Sequence, residues 1–237
     1  MSYKGFKILA VIPARGGSKG IPRKNLRKIA GISLVGHAAK VALSIDWIDR
    51  TILSTDDDEI AAEGRKHGVA VPFKRPAELA SDQARSADMW KQAWLESEAC
   101  FNEKFDISIL LEPTSPLRRP EDIELTVNAL VDDHCDAAAT VSRAAAHFTP
   151  HKCLTVDDNG IIGFFHARGQ QYSTRQKIPD YYFRNGICYA LKRHALLVKE
   201  MIIEENCKAV VIARPVVNID DLHELEYAEF LFLKYYR

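Results

Sequence analysis

Val11-Ile-Pro-Ala-Arg-Gly-Gly-Ser-Lys-Gly-Ile-Pro-Arg-Lys-Asn25 is the stretch from which the rest of the chain can be understood. The apolar run Lys7-Ile-Leu-Ala-Val-Ile12 leading into it reads as a buried strand. Beyond that strand come Gly16, Gly17 and Gly20, interleaved with Arg15, Lys19, Arg23, Lys24 and, just past the end, Arg27. Glycine lets backbone N–H groups close on a ligand, and clustered cations neutralise a polyanion. A strand that ends in such a loop near the chain start is where an α/β protein holds phosphates. The spacing is neither Walker A, because Lys19 precedes Gly20, nor Gly-x-Gly-x-x-Gly. A basic surface turn remains the plain alternative.

Working outward, apolar strands alternate with amphipathic segments. The pattern predicts a helix over 32–45, a strand over 50–55 ending at Asp56-Asp-Asp58, a helix over 59–67 stopped by Gly68, and a short strand over 69–73. A helix around 87–99, a strong strand over 106–111, a helix opened by Pro120 and a strand over 137–141 follow. This rhythm implies an α/β fold with a doubly wound, mainly parallel sheet. From about 142 to 190 turn residues become frequent, and the segments between them suit antiparallel strands. That region is expected to be a small inserted lobe that covers the site or binds a second subunit, within one domain spanning 1–237. The chain then returns to the main sheet with a helix over 194–205, a strand over 209–213 and a helix over 221–235.

Composition narrows the function. The 237 residues carry 32 Lys and Arg against 32 Asp and Glu, so a general nucleic-acid binder is disfavoured and the local basic cluster suits a small anion. The five cysteines at 100, 135, 153, 188 and 207 form no Cys-x-x-Cys pair, which suits a reducing compartment and argues against structural zinc. With no signal peptide and no span-length apolar run evident, a cytoplasmic protein without membrane attachment is expected.

At the carboxyl ends of the expected strands stand the basic loop, Ser54-Thr-Asp56, Arg75-Pro-Ala-Glu-Leu-Ala-Ser-Asp82, Glu112-Pro-Thr-Ser-Pro-Leu-Arg118 and Asn218-Ile-Asp220. They offer cations, hydroxyls and a few carboxylates, with no Ser-His-Asp order. His147 and His151 have metal-ligand spacing, but Pro150 between them breaks a helix. Asp56-Asp-Asp58 satisfies the Asp-x-Asp pattern of nucleotide-sugar transferases, yet reads as a helix start.

These segments, together with Gly31-Ile-Ser-Leu-Val-Gly36, Arg175-Gln-x-Ile-Pro179 and Asn185-Gly186, occur in the order found in a known family. The chain resembles the acylneuraminate cytidylyltransferases, typified by CMP-N-acetylneuraminate synthetase, over nearly its whole length. The resemblance implies a Rossmann-like nucleotidyltransferase fold with an antiparallel dimerisation lobe. It implies a reaction in which an acidic 2-keto-3-deoxy sugar and CTP give CMP-sugar and pyrophosphate with Mg2+. Catalytic roles then fall to Lys24, Arg15 and Asp220. Nucleotide contacts fall to Arg15, Gly16, Gly17, Ser18, Lys19, Lys24, Asn25, Arg75, Ser81 and Ser86. The sugar falls to Glu112, Thr114, Ser115, Lys152, Arg175, Gln176 and Tyr189, with Lys152 and Arg175 reaching across a homodimer. Asp220 and Asn218 are the implied metal ligands.

Two positions depart from the family pattern. Glu112 stands where relatives usually carry Gln, and an ionised carboxylate cannot donate to a substrate oxygen; the sugar is therefore expected to differ near it. Asn218 stands where Asp is common, leaving one fewer charge for a cation. An eight-carbon sugar acid as substrate, another nucleotide, and a non-catalytic nucleotide-binding regulator are the competing readings.

Overall fold

In the computed structural model, which describes residues 3–172, 175–203 and 206–236, the centre is built from strands whose residues are almost all buried. The elements in order are β1 (Ile8–Pro13), β2 (Lys28–Ile29), β3 (Ile32–Ser33), α1 (Leu34–Leu43), β4 (Arg50–Ser54), α2 (Asp58–Lys66), α3 (Ser86–Phe101), β5 (Ile107–Leu110) and α4 (Pro120–Asp132). They continue with β6 (Ala137–Arg143), β7 (Leu154–Val156), β8 (Ile162–Phe164), β9 (Tyr182–Lys192), α5 (Arg193–Leu197), β10 (Cys207–Val211) and α6 (Leu222–Tyr235).

The main sheet has the order β10-β6-β9-β5-β1-β4. It is parallel except for β9, which runs antiparallel between β5 and β6. Its two faces are covered by different side chains. Val35, Ala38 and Ala39 of α1, Ile60 of α2 and Ile123, Val127 and Leu130 of α4 fill one face. Trp90, Ala93 and Trp94 of α3 and Leu196 of α5 fill the other. Each large apolar side chain so buried contributes about 2 kcal/mol. The Trp90 indole stays satisfied by donating to Ser108 Oγ at 2.8 Å, and Ser108 in turn donates to the Leu9 carbonyl.

The chain leaves β1 toward β4 on one side and β5 on the other. Order reversal of this kind opens a crevice beyond the carboxyl ends of the strands. A third cluster closes that crevice. Ile21, from the basic loop, packs with Ile29, Leu34, Leu117, Val217 and Ile219 and with Ala228 and Leu231 of α6. Burying Ile21 and Ile219 together brings residues distant in sequence to one end of the sheet.

Three expectations change. The strand over 69–73 is a single bridge between Ala70 and Ile52, because Pro72 has no N–H to continue a ladder. The helix over 194–205 stops at Leu197, since Glu200 takes a positive φ of 58° that helical backbone excludes; Glu204 and Glu205 lie outside the described residues. The segment 142–190 gives its last part to the main sheet: Asn185–Leu191 are buried within β9. Residues 144–181 lie outside that sheet and carry the β7–β8 hairpin.

Candidate functional site

A cavity of about 610 Å3 opens at the carboxyl ends of β1 and β5, and most of the residues expected from the sequence meet there. Arg15, Ser18, Lys19, Lys24, Asn25, Arg75, Ser81 and Ser86 line it, as do Glu112, Thr114, Asn218 and Asp220.

Lys24 is drawn in by its neighbours. Its Nζ donates to the Ile219 carbonyl at 2.8 Å and to Asp220 Oδ1 at 2.9 Å. Gly20 allows this closeness: a Cβ there would stand 2.4 Å from the Asp220 backbone oxygen. Arg15 pairs with Asp82 at 3.0 Å, and the same carboxylate binds Lys19. Lys19 holds Asp82 below the usual carboxylate range.

Arg75 orders the wall opposite. It is buried, its Nε donates to Ser54 Oγ at 3.0 Å, and its guanidinium also reaches the Ser54 carbonyl. Burial pushes it down to about 10, so it stays charged at neutral pH.

Several of the expected residues also bond to protein, and some do not line the cavity. Asn25 is buried and its amide donates to the Arg15 carbonyl at 2.9 Å, which pins the loop. Gly16 N–H donates to Asp56 Oδ1, and a Cβ on Gly16 would stand 2.8 Å from Asp57 Oδ2; neither Gly16 nor Gly17 lines the cavity. Asp57 accepts from Glu59 N and Ile60 N and caps α2, so Asp56-Asp-Asp58 is a helix start. Ser115 is buried with its hydroxyl donating to the Asn185 carbonyl, and Tyr189 is buried in the core beside α3.

Glu112 faces the cavity, and burial pushes its carboxyl up. Arg118, not singled out from the sequence, fixes its backbone. That fully enclosed guanidinium donates to the carbonyls of Glu112, Gly186 and Ile187, and burial lowers it to about 10. Gly186 sits at φ 71°, and a Cβ there would stand 2.3 Å from Glu112 Oε2. Only glycine serves both demands.

The residues fit a hard cation. Asn218 Oδ1 is buried without a hydrogen-bond donor, and the Asp220 carboxylate is exposed beside it on the cavity wall. Among the described residues no group of three or more His, Cys, Asp or Glu could hold a metal. Two oxygen donors suit Mg2+, which takes one or two protein groups and completes its shell with phosphates and water.

Lys152 and Gln176 do not line the cavity within one chain; Gln176 is exposed, and nothing is described of the Arg175 side chain. His151 is no metal partner of His147. Its ring lies 4.4 Å from that of His166 and 3.9 Å from that of Tyr172, and its Nδ1 is bonded to Tyr181 Oη at 3.0 Å, whereas His147 is exposed. Sequence reasoning missed Asp82 and Arg118 as functional positions; only their places inside quoted motifs signalled them.

Known proteins resemble this chain in sequence and in fold. The model of the cytidylyltransferase family matches residues 9–232. The chain is 31% identical over 227 residues to post-translational flagellin modification protein B of Campylobacter coli, covering 95% of this chain and 94% of that one. It is 30% identical to CMP-N,N'-diacetyllegionaminic acid synthase of Campylobacter jejuni, with the same coverage. A solved CMP:2-keto-3-deoxy-manno-octonic acid synthetase complexed with CTP superposes with a TM-score of 0.72 at 21% identity, covering 96% of this chain and 99% of that one, which shows the shared fold.

Proposed function

The chain belongs to the cytidylyltransferase family, and on that premise we propose that it activates an acidic nonulosonic-type sugar with CTP, releasing pyrophosphate. The observation that carries the proposal is the convergence of Arg15, Lys19 and Lys24 with Asn218 and Asp220 at one cavity.

Phosphoryl transfer is catalysed mainly by positioning and charge neutralisation. The anomeric hydroxyl of the sugar attacks the α-phosphorus and gives up its proton to water, while the bond from that phosphorus to the bridging oxygen breaks and its electron pair leaves with pyrophosphate. Lys24, held by Ile219 and Asp220, is the cation placed to accompany the reacting phosphorus. Arg15 and Lys19 face the outer phosphates. Ser81 and Ser86, on the wall that Arg75 braces, take the nucleoside end. Magnesium, when bound by Asp220 and Asn218, supplies further charge neutralisation.

Glu112 and Thr114 lie on the sugar side. Glu112 has no donor among the described residues, which supports a sugar that presents an N–H or O–H group to it. Among nonulosonic acids we favour those carrying additional acylamino groups, in line with the names of the relatives. Arg15, Lys19 and Lys24 are committed to the phosphates in this reading, so the sugar's carboxylate is assigned to Lys152 and Arg175 reaching across a homodimer. The five scattered cysteines, with no Cys-x-x-Cys pair, suit the reducing cytoplasm that we assign to this enzyme. No helix among the described residues is long and apolar enough to cross a membrane.

The test is pyrophosphate release from CTP across a panel of acidic sugars, with product mass spectrometry and Lys24→Ala as control. Formation of a CMP-sugar from a legionaminic-type acid in preference to N-acetylneuraminate is the expected result. No product from any acidic sugar would remove the proposal.

A further inference from the structure

Asp82 stands between two cations of the basic loop that line the cavity. Oδ1 is 3.0 Å from Arg15, and Oδ2 binds Lys19 Nζ. Two carboxylate oxygens engaging two cations is the pattern that two phosphate oxygens would make. The segment that carries Asp82 is fastened at both ends. Arg75 is buried against Ser54 at one end, and α3 begins at Ser86 at the other. Between these anchors the contacts on the cavity side are light. Arg15 reaches the Ala80 carbonyl at 3.4 Å, and Ser81 bonds only within its own turn. The Lys19 and Asp82 side chains are 82% and 43% exposed, so their pairing is weak enough to be exchanged.

Lys24 is different. Its side chain is 15% exposed and it is also held by the Ile219 carbonyl, so it keeps its position whatever anion is near.

We propose that Asp82 is an internal anion exchanged for the outer phosphates of the nucleotide: it holds Arg15 and Lys19 in the free enzyme, is displaced by triphosphate, and returns as pyrophosphate leaves. The inference rests on the reading of this cavity as a triphosphate site. A triphosphate carries several charges against one on Asp82, so binding wins the exchange. After reaction the smaller pyrophosphate competes with a carboxylate tethered at high local concentration, and its release is hastened. The carboxylate thus lowers affinity for every phosphate ligand while favouring those with the most charge. Asp82 is a positioning residue in this scheme and touches no reacting atom.

The test compares wild type, Asp82→Asn and Asp82→Glu by calorimetric titration with inorganic pyrophosphate and with CTP, alongside product inhibition by pyrophosphate. Asp82→Asn removes the competing charge at nearly constant volume. It is expected to bind pyrophosphate about threefold to tenfold more tightly, the range expected for losing two exposed ion pairs. Its inhibition constant for pyrophosphate falls in parallel, and the gap narrows at high salt. Asp82→Glu keeps the charge and stays near wild type. Thermal melting of all three checks folding, which a merely structural role would disturb without tightening any ligand. Equal or weaker pyrophosphate binding by Asp82→Asn overturns the exchange, as does an absence of pyrophosphate binding in both proteins. Tighter binding by Asp82→Asn in a protein that makes no CMP-sugar keeps the exchange and removes the proposed reaction.

Discussion

The cavity end of the sheet holds its charged groups in place from behind, whereas the segment 144–181 leaves its apolar groups uncovered. Arg75 and Arg118 are 5% and 3% exposed, and each guanidinium is clamped by hydrogen bonds that involve backbone carbonyls. In the β7–β8 hairpin Val156, Ile161 and Ile162 are 65–66% exposed, and Phe165 beyond it is 67% exposed. One region is finished within a single chain. The other presents apolar surface that a monomer has no reason to keep. The contrast matches the proposed division, in which one chain takes the nucleotide and a partner chain completes the sugar side.

The sharpest challenge to that division falls on the finished side. Lys24→Ala should lower kcat/KM for pyrophosphate release by about a hundredfold or more, equivalent to roughly 3 kcal/mol of transition-state stabilisation, in a coupled assay. A change below fivefold would mean that the cavity is complete without it. The opposite end of the same sheet, where α3 finishes, should show itself in acid. Burial alone would raise Glu98, but hydrogen bonds from Arg193, from the Phe105 N–H and from Lys104 outweigh it and hold the carboxyl down to about 2. A depressed carboxylate contributes stability that is fully present above its unfolded value of 4.5 and is lost as pH falls toward 2. Glu98→Gln should cost up to about 3 kcal/mol near neutral pH and flatten the acid limb of a denaturation series. An unchanged acid limb would detach Glu98 from that role.

The unfinished side is tested by mixing. Inactive Lys24→Ala and Arg175→Ala chains, co-refolded, should regain about a quarter of wild-type activity, the statistical share when one of two sites is intact in half of the molecules. No recovery would place Arg175 in its own chain's site or outside any site. The smallest effect is expected at the hairpin. Ile162→Ser should shift monomer stability by less than about 0.5 kcal/mol while lowering the dimer fraction in light scattering. A large loss of stability with an unchanged molecular mass would show that the hairpin is covered by its own chain.

Legibility in the sequence follows the same boundary. β1, β4, β5, α3 and α4 were readable because their periodicity reports burial on one or both faces. The strand expected at 69–73 failed because one Pro limits a ladder that periodicity cannot count. β9 is antiparallel, as expected for 142–190, but its insertion between β5 and β6 of the main sheet is decided by packing that local pattern does not report. Within the site, Arg15, Lys19 and Lys24 were readable as a cluster next to glycines. Asp82 and Arg118 were not, since an acidic residue in a polar loop and an arginine after prolines look like ordinary surface.

The sequence by itself determined the chemical inventory: a strand feeding a glycine-rich basic loop, hydroxyl-bearing segments after later strands, and oxygen donors near the end. Local chemistry is written in residue type and spacing, so these survive without coordinates. Only the tertiary structure decided which groups face a ligand and which face protein. Packing Ile21 against Ile219 set Lys24 beside Asp220, while Gly16 and Ser115 are bonded to protein and Asp82 lies across two cations. Those pairings join residues separated by tens to nearly two hundred positions, and burial of shared apolar surface is what selects them.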